Sequence, residues 1–342
     1  MSLSKKNNTP TKKDISTDLK VQFPPNDTVA TLNWSPVADY FVVACWDGEV
    51  RVYQVHPNLS TSGVASYKHE GPVLVAKFSP DGNKIVSGGG DKKIIVYDLV
   101  TKKQSIIGQH NDSISGIDFY SPTNFVTSSW DKTLKYWDLT KFQMIGQNEL
   151  PDKIYKLSIA FPLMVAAVGS ENFAIYDLNN PGTLMKVMTP NKMVGIPKTL
   201  QAFSGATPGF MYGISKGKGA VVHIDEKYSD GKDKKDVTFR CNRDEKYCYT
   251  IHQVLSHPNK LDAMYALGSD GGISTFDLTK KVRICSMFHK GKSITAGGFD
   301  RNGFLLAYAT GYDWSRGYKY HKHDDNFQIF LHQVQPEELN KQ

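Results

Sequence analysis

Short runs of apolar residues alternate with polar ones along most of the chain, and clusters of turn-forming residues interrupt them at close intervals. Two stretches show the repeating unit most clearly. His69–Leu99 reads HEGPVLVAKFSPDGNKIVSGGGDKKIIVYDL, and His110–Leu139 reads HNDSISGIDFYSPTNFVTSSWDKTLKYWDL. Each opens on a histidine, passes through an alternating strand, a turn and a second strand, makes a tight turn centred on Asp, and closes on a third strand ending in aromatic-Asp. Segments such as Ile94–Tyr97 and Leu134–Trp137 are rich in β-branched and aromatic residues, which suit a pleated, half-buried surface. An Asp in the tight turn, as at Asp91, Asp131 and Asp270, can fold its carboxylate onto neighbouring amides.

Weaker copies occupy Val29–Val55, Ile154–Leu178, Thr199–Asp225, Tyr249–Leu278 and His289–Val334, making seven in all. This is the grammar of the WD40 repeat, about 40–45 residues forming a four-stranded blade. It predicts an all-β, seven-bladed WD40 β-propeller over residues 19–335. The last copy supplies three strands, so Leu19–Phe23 (LKVQF) is expected to add the fourth and close the ring, leaving no open sheet edge at the join. Residues 1–18 are expected to form a disordered basic tail, and 336–342 a short C-terminal tail. In this repeat the histidine, the turn Asp, a strand Ser or Thr and the closing Trp form a hydrogen-bonded chain, which His110, Asp131 and Trp137 are placed to make. That role is structural.

Composition narrows the function. Hydrophobic residues make up 40% and charged residues 22%, a globular balance. No apolar run reaches the roughly eighteen residues of a membrane helix, so membrane insertion is not expected. The lysines of MSLSKKNNTPTKKD precede no apolar stretch, so no secretory signal is expected. Cys45, Cys241, Cys248 and Cys285 lack zinc-site spacing and read as free thiols of a reducing compartment. The net charge of +7 includes five lysines in the first twenty residues and permits an acidic partner without demanding one. No Walker or Rossmann loop, GxSxG or HExxH occurs, and no two carboxylates can be paired by spacing. The chain is therefore read as a non-enzyme with no catalytic residues, cofactor or metal. The polar stretch Glu226–Asp236 and the His-rich Gly317–Asn326, with His321, His323, Asp324 and Asp325, read as solvated loops. What remains is surface. The residue before the turn Asp points onto one face of the disc, and here it is Trp46, Trp130 and Tyr312, bulky aromatics suited to anchoring a partner.

Several stretches exceed generic repeat grammar: YDWSRG (Tyr312–Gly317), SWDKTLKYWD (Ser129–Asp138), HEGPVL (His69–Leu74), VTFRCNR (Val237–Arg243) and ELP with Tyr155 four residues beyond Pro151. With these, the chain resembles the WD-repeat messenger-RNA export factors of the nuclear pore over about Asp18–Glu338. A sister family, the spindle-checkpoint WD-repeat proteins that bind related motifs of checkpoint kinases, shares the SWD turns and the Phe-x-Cys-x-Arg segment. The resemblance implies a monomeric propeller that pairs with a nucleoporin through its GLEBS motif, an acidic peptide laid across one face. It implies work in the nucleus, at the nuclear pore complex and envelope, with shuttling to the cytoplasm. Carried over by position, the aromatic peptide contacts are Trp46 and Trp130, to which the turn position adds Tyr312, with Arg243 and Arg240 as basic partners. A further family arginine falls on Lys218, which keeps the charge but loses the two-pronged grip on a carboxylate. Asn242 stands where the family usually has His, and Phe276 where the closing aromatic is usually Trp. The resemblance also implies RNA contact through a basic rim, for which Lys280, Lys281, Arg283, Lys290 and Lys292 are the candidates.

Overall fold

The computed structural model describes residues 12–190, 195–205, 207–225, 236–241, 247–289, 292–315, 317–320 and 327–340. Two short strands come first, β1 (Lys12–Asp14) and β2 (Leu19–Lys20). Seven blades follow. Blade 1 is β3 (Val29–Trp34), β4 (Tyr40–Cys45), β5 (Glu49–Val55) and β6 (Thr61–Lys68). Blade 2 is β7 (Val73–Phe78), β8 (Lys84–Gly89), β9 (Lys93–Asp98) and β10 (Lys103–Gln109). Blade 3 is β11 (Ile114–Phe119), β12 (Asn124–Ser129), β13 (Thr133–Asp138) and β14 (Gln143–Glu149). Blade 4 is β15 (Ile154–Ala160), β16 (Leu163–Val168), β17 (Asn172–Asp177) and β18 (Leu184–Met188). Blade 5 is β19 (Pro197–Phe203), β20 (Gly209–Ile214), β21 (Lys218–His223) and β22 (Val237–Arg240). Blade 6 is β23 (Ile251–His257), β24 (Lys260–Gly268), β25 (Gly272–Asp277) and β26 (Val282–Phe288). Blade 7 is β27 (Ser293–Phe299), β28 (Leu305–Gly311) and β29 (Gln328–Gln333), completed by β2.

The core lies between the blades. Each hydrophobic cluster joins consecutive blades: Val42, Val52 and Tyr67 of blade 1 meet Val73, Ile85 and Tyr97 of blade 2, and the pattern repeats around the ring to Phe41 and Tyr53 of blade 1 against Ala307 and Ile329 of blade 7. Alternating strands explain this, because each sheet has two faces and both must be covered. Every innermost strand also carries a one-residue bulge at the same place, skipping Ala30, Leu74, Ser115, Tyr155, Lys198, His252 and Thr295 in turn. A bulge bends the strand and increases its twist, as a ring of steeply twisted blades requires.

Polar side chains of the inner strands stitch neighbouring blades together. Asn33 donates to the Ala76 carbonyl at 2.9 Å, Lys77 pairs with Asp118, and Asp118 accepts from the Ile159 amide at 2.9 Å. Ser158 accepts from Ala202 at 2.9 Å, Thr199 from Val254 at 3.0 Å and Gln201 from Ser256 at 2.9 Å. Across the join, the Trp34 indole donates to the Gly298 carbonyl at 2.8 Å.

The predicted blade chain is present. The Trp137 indole donates to the Thr127 hydroxyl at 2.9 Å, Thr127 lies 2.7 Å from His110 Nε2, and His110 Nδ1 lies 2.9 Å from Asp131. Burial pushes His110 down to about 4 despite Asp131, so the ring is neutral and its Nδ1–H donates. Gly108 lies under Trp137; a Cβ there would stand 2.3 Å from the indole. In blade 2, Ser87 links to His69 and to the Tyr67 hydroxyl at 2.7 Å, so a tyrosine from blade 1 takes the role of the tryptophan. The turn carboxylates fold back as expected: Asp91 accepts from the Lys93 amide, Asp131 from Thr133 and Asp270 from Gly272.

The two ends depart from the sequence reading. Leu19–Lys20 pairs with Leu331 and Phe330, and the Val21 amide donates to Ile329, so the closing strand stops short of Phe23, which is exposed with φ 55°. Residues 12–18, read as part of a disordered tail, are ordered. β1 lies parallel to β26, extending blade 6 to five strands; Ile15 is buried, and the Asp18 carboxylate lies 3.0 Å from both the Tyr308 hydroxyl and His332. Residues 336–339, read as tail, form a helical turn α1 (Pro336–Leu339) that buries Glu338 against His332 at 3.0 Å and Lys13 at 2.9 Å. Ordering here comes from long-range partners, to which a local reading of polar sequence is blind. The expected loops at 226–235 and 321–326 lie outside the described residues.

Candidate functional site

One face of the disc carries the turns between the second and third strands of each blade. On it, Trp46 follows β4, Trp130 follows β12 and Tyr312 follows β28. Trp46 is 38% exposed and stacks on Trp314 with centroids 5.3 Å apart; Trp314 tilts against Tyr312 at 5.7 Å. The three rings bridge the join between blades 7 and 1. The Tyr312 hydroxyl donates to the Gly317 carbonyl at 2.8 Å, and the Tyr312 carbonyl accepts from Thr28 at 2.7 Å, fixing the cluster from both sides. Trp314 sits at φ 61°, a conformation a bulky residue holds only when its surroundings impose it. Trp314 lies inside the YDWSRG stretch but after the turn Asp, so the position rule that marks Trp46, Trp130 and Tyr312 does not reach it.

The carboxylates beneath the rings are committed. Burial opposes ionisation of Asp47, but Arg51 at 2.7 Å and the Glu49 amide more than offset it and hold the carboxyl below its usual range. Burial likewise opposes ionisation of Asp313, which bonds from His252, Ser269 and Ser315 hold far below it. His252 lies 3.0 Å from Ser269 and 3.4 Å from Asp313, tying blade 6 to blade 7 under the aromatic cluster. Cys45 is pushed up to about 12 by burial, so it is a neutral thiol, with its Sγ 3.2 Å from the Asp27 carbonyl.

Trp130 stands apart from these rings, on blade 3. Its indole N–H is buried and has no hydrogen-bond partner among the described residues, and the Lys153 ammonium lies 5.7 Å from the ring centre. Lys153 had not been singled out.

The basic residues divide. Lys218 and Arg240 are register partners on β21 and β22, so their side chains leave the same side of blade 5. Arg283 belongs with them: its guanidinium donates to the Arg240 carbonyl at 2.6 Å and lies 5.2 Å from the Phe276 ring centre. Lys280 and Lys281 occupy the turn before β26, with Lys280 3.8 Å from Asp277, whereas Lys292 lies beyond the other end of that strand. The described candidates for a basic rim therefore do not share one edge; a seven-residue strand separates the turn lysines from Lys292. Arg243 and Lys290 lie outside the described residues.

Among the described residues no three His, Cys, Asp or Glu side chains are arranged to hold a metal ion, and no helix is long and apolar enough to cross a membrane.

Comparison with known proteins follows the same lines. The family model for the WD domain, G-beta repeat, matches residues 18–54, 62–98 and 101–138. The poly(A)+ RNA export protein of Schizosaccharomyces pombe is 32% identical over 335 residues, covering 95% of this chain and 93% of that protein. Protein RAE1 of Arabidopsis thaliana is 33% identical over 323 residues, covering 92% and 90%. Among solved structures, U3-55K superposes with a TM-score of 0.75 at 14% identity over 93% of this chain and 99% of that one, a likeness of fold alone.

Proposed function

Since the chain belongs to the WD40-repeat family of the poly(A)+ RNA export protein and RAE1, we propose that it serves messenger-RNA export as a non-enzymatic adaptor that binds a GLEBS-type motif of a nucleoporin on its turn-bearing face. The observation that carries this reading is the aromatic cluster on that face, in which exposed Trp46 stacks on half-buried Trp314 and Trp314 tilts against half-buried Tyr312. Stacked rings offer large, rigid contact area at low entropic cost, which is what a peptide anchor needs. The Lys218, Arg240 and Arg283 group supplies cations for the acidic residues of such a peptide, joined in this reading by Arg243. Trp130, half-buried on the same face, adds a further ring for such a peptide to lie against. Work at the nuclear pore and envelope, with passage between nucleus and cytoplasm, follows from the same reading. RNA contact is a secondary part of it, resting on lysines that face two ways, and predicts affinity that falls steeply with salt.

Calorimetry of the whole chain with a GLEBS peptide from a nucleoporin, beside one from a checkpoint kinase, tests the reading. Tight binding of the nucleoporin peptide is expected, weakened more than about tenfold by Arg243→Ala, since truncating a paired interfacial Arg costs about 2–5 kcal/mol. Trp46→Ala is expected to do the same. Preference for the kinase peptide would move the protein to the checkpoint role. Wild-type affinity, within twofold, in both variants would overturn the assignment of the face.

A further inference from the structure

Lysine on an innermost propeller strand needs an explanation, because each inner strand is packed against those of the neighbouring blades. Lys77 has one: it pairs with Asp118 on the next inner strand. Lys156 on β15 and Lys198 on β19 do not. They occupy adjacent inner strands, which are tied together by the Ser158–Ala202 hydrogen bond at 2.9 Å. Lys156 follows the bulge of its strand and is half-buried; Lys198 is the bulge residue of its own and is exposed. Neither ammonium has an anionic partner or hydrogen bond among the described residues. The nearest inner-strand carboxylate, Asp118 on β11, is already engaged by Lys77 and the Ile159 amide, while the neighbouring polar groups Ser158, Thr199 and Gln201 accept from backbone amides of the next blade. Burial pushes Lys156 down to about 8, and repulsion from Lys198 adds to the effect. Two like charges held together without a counter-charge are costly unless something else is present to balance them.

We infer that Lys156 and Lys198 form an anion site in the axial channel between blades 4 and 5, built for a small multivalent oxyanion of the phosphate class. Two ammoniums from adjacent inner strands can each donate to a different oxygen of such an anion. Lysine binds phosphate-class anions as a compact point charge with three rotatable donors. Uncompensated charge at an inner wall favours a ligand small enough to enter the channel over one that lies across the face. Binding would restore the full charge of Lys156, so the anion should be taken up together with protons near pH 8.

The probe is sulfate, a tetrahedral dianion that does not itself titrate near pH 8, added calorimetrically to the whole chain at constant ionic strength, with chloride as the control salt. Saturable binding is expected, with a raised melting temperature. At pH 8, the heat should depend on the ionisation enthalpy of the buffer in the sense of proton uptake. Lys156→Met and Lys198→Met are each expected to weaken binding at least about tenfold and, for Lys156→Met, to abolish the proton uptake. Without anion, Lys156→Met should melt at or above the wild-type temperature, which establishes that the variant is folded. Absence of saturable binding by wild type, or unchanged affinity in the folded double variant, would overturn the site.

Discussion

At the scale of single residues, Thr127 is the hub of blade 3. It is fully buried, and its one hydroxyl serves both the Trp137 indole and the His110 ring. Thr127→Val keeps the shape but strands a donor and an acceptor, each at a cost of about 1–3 kcal/mol. Urea unfolding is expected to show a clearly lowered midpoint, and His110→Ala in the Thr127→Val background should add less than it does alone, because the two changes remove one network. The network also has a pH signature. His110 has a folded value of about 4, below its unfolded value near 6.5, so its contribution falls as pH drops through that window. Asp131, held at about 2, then loses its contribution as pH falls from its unfolded value towards 2. Acid titration of stability should therefore begin to bite below about pH 6.5 in wild type and only at lower pH in the His110 variant. His110, Asp131 and Trp137 were legible because their spacing is local and fixed by one blade. Tyr67 was not: it reaches Ser87 from the preceding blade and stacks on Tyr97 at 4.7 Å, a substitution of partner that spacing within one repeat cannot reveal.

Among the elements, β1, β2 and α1 hold the ring shut. Ile15 and Val21 are buried in the seams they close, and His332 stands between Asp18 and Glu338 with both ring nitrogens facing carboxylates. Burial alone would lower its pKa, but those two acids raise it to about 9. The histidine is thus protonated with both N–H groups donating, and Lys13 completes the balance. Stability from this group is fully present below the unfolded value near pH 6.5 and is lost as pH rises through about 9. Melting temperature is expected to decline across that alkaline window, and His332→Gln to start lower but vary less with pH there. Removing residues 1–24 deletes two buried aliphatic side chains, at about 1.5–3 kcal/mol each, and leaves His332 and Glu338 without their outer partners. A drop on the order of 5 kcal/mol or more is expected by chemical denaturation; an unchanged midpoint would show that closure does not depend on this segment. The idea of a closing N-terminal strand was readable from a blade short of one strand. The parallel strand on blade 6 was not, because KKD has no periodicity and its partner lies more than 270 residues away.

For the molecule as a whole, seven seams in place of one central core explain why the fold survives where its signature fades. The repeat family model matches only the stretch ending at residue 138, yet blades 4 to 7 keep the same sheet order and the same inner-strand bulge. Alternating apolar residues suffice to fill a seam; the His-to-Trp chain is an addition, since Leu150 before blade 4 and Cys241 before blade 6 stand where blade 3 has His110, and blade 6 closes on Phe276. The same reasoning shows why the site was only partly legible. Position before a turn Asp correctly put Trp46, Trp130 and Tyr312 on one face, since turn grammar fixes the face. It could not tell which blades meet, and so missed that Trp46 and Tyr312 join through Trp314 while Trp130 stands alone. Nearness in sequence likewise grouped Arg283 with Lys280 and Lys281, and could not show that its side chain also reaches the Arg240 carbonyl of the neighbouring blade.

The way β1 and β2 are paired has a consequence for how the molecule is made. Both leave the ribosome early, but the strands they bind, β26 and β29, are translated roughly three hundred residues later, about 15–60 s at 5–20 residues per second. Throughout that interval the nascent chain holds a row of blades with an unmet edge at each end and a free strand waiting for a partner. The disc is therefore finished by a single late event that joins the first-made part to the last, and any delay in elongation lengthens the time during which that strand can pair with the wrong edge.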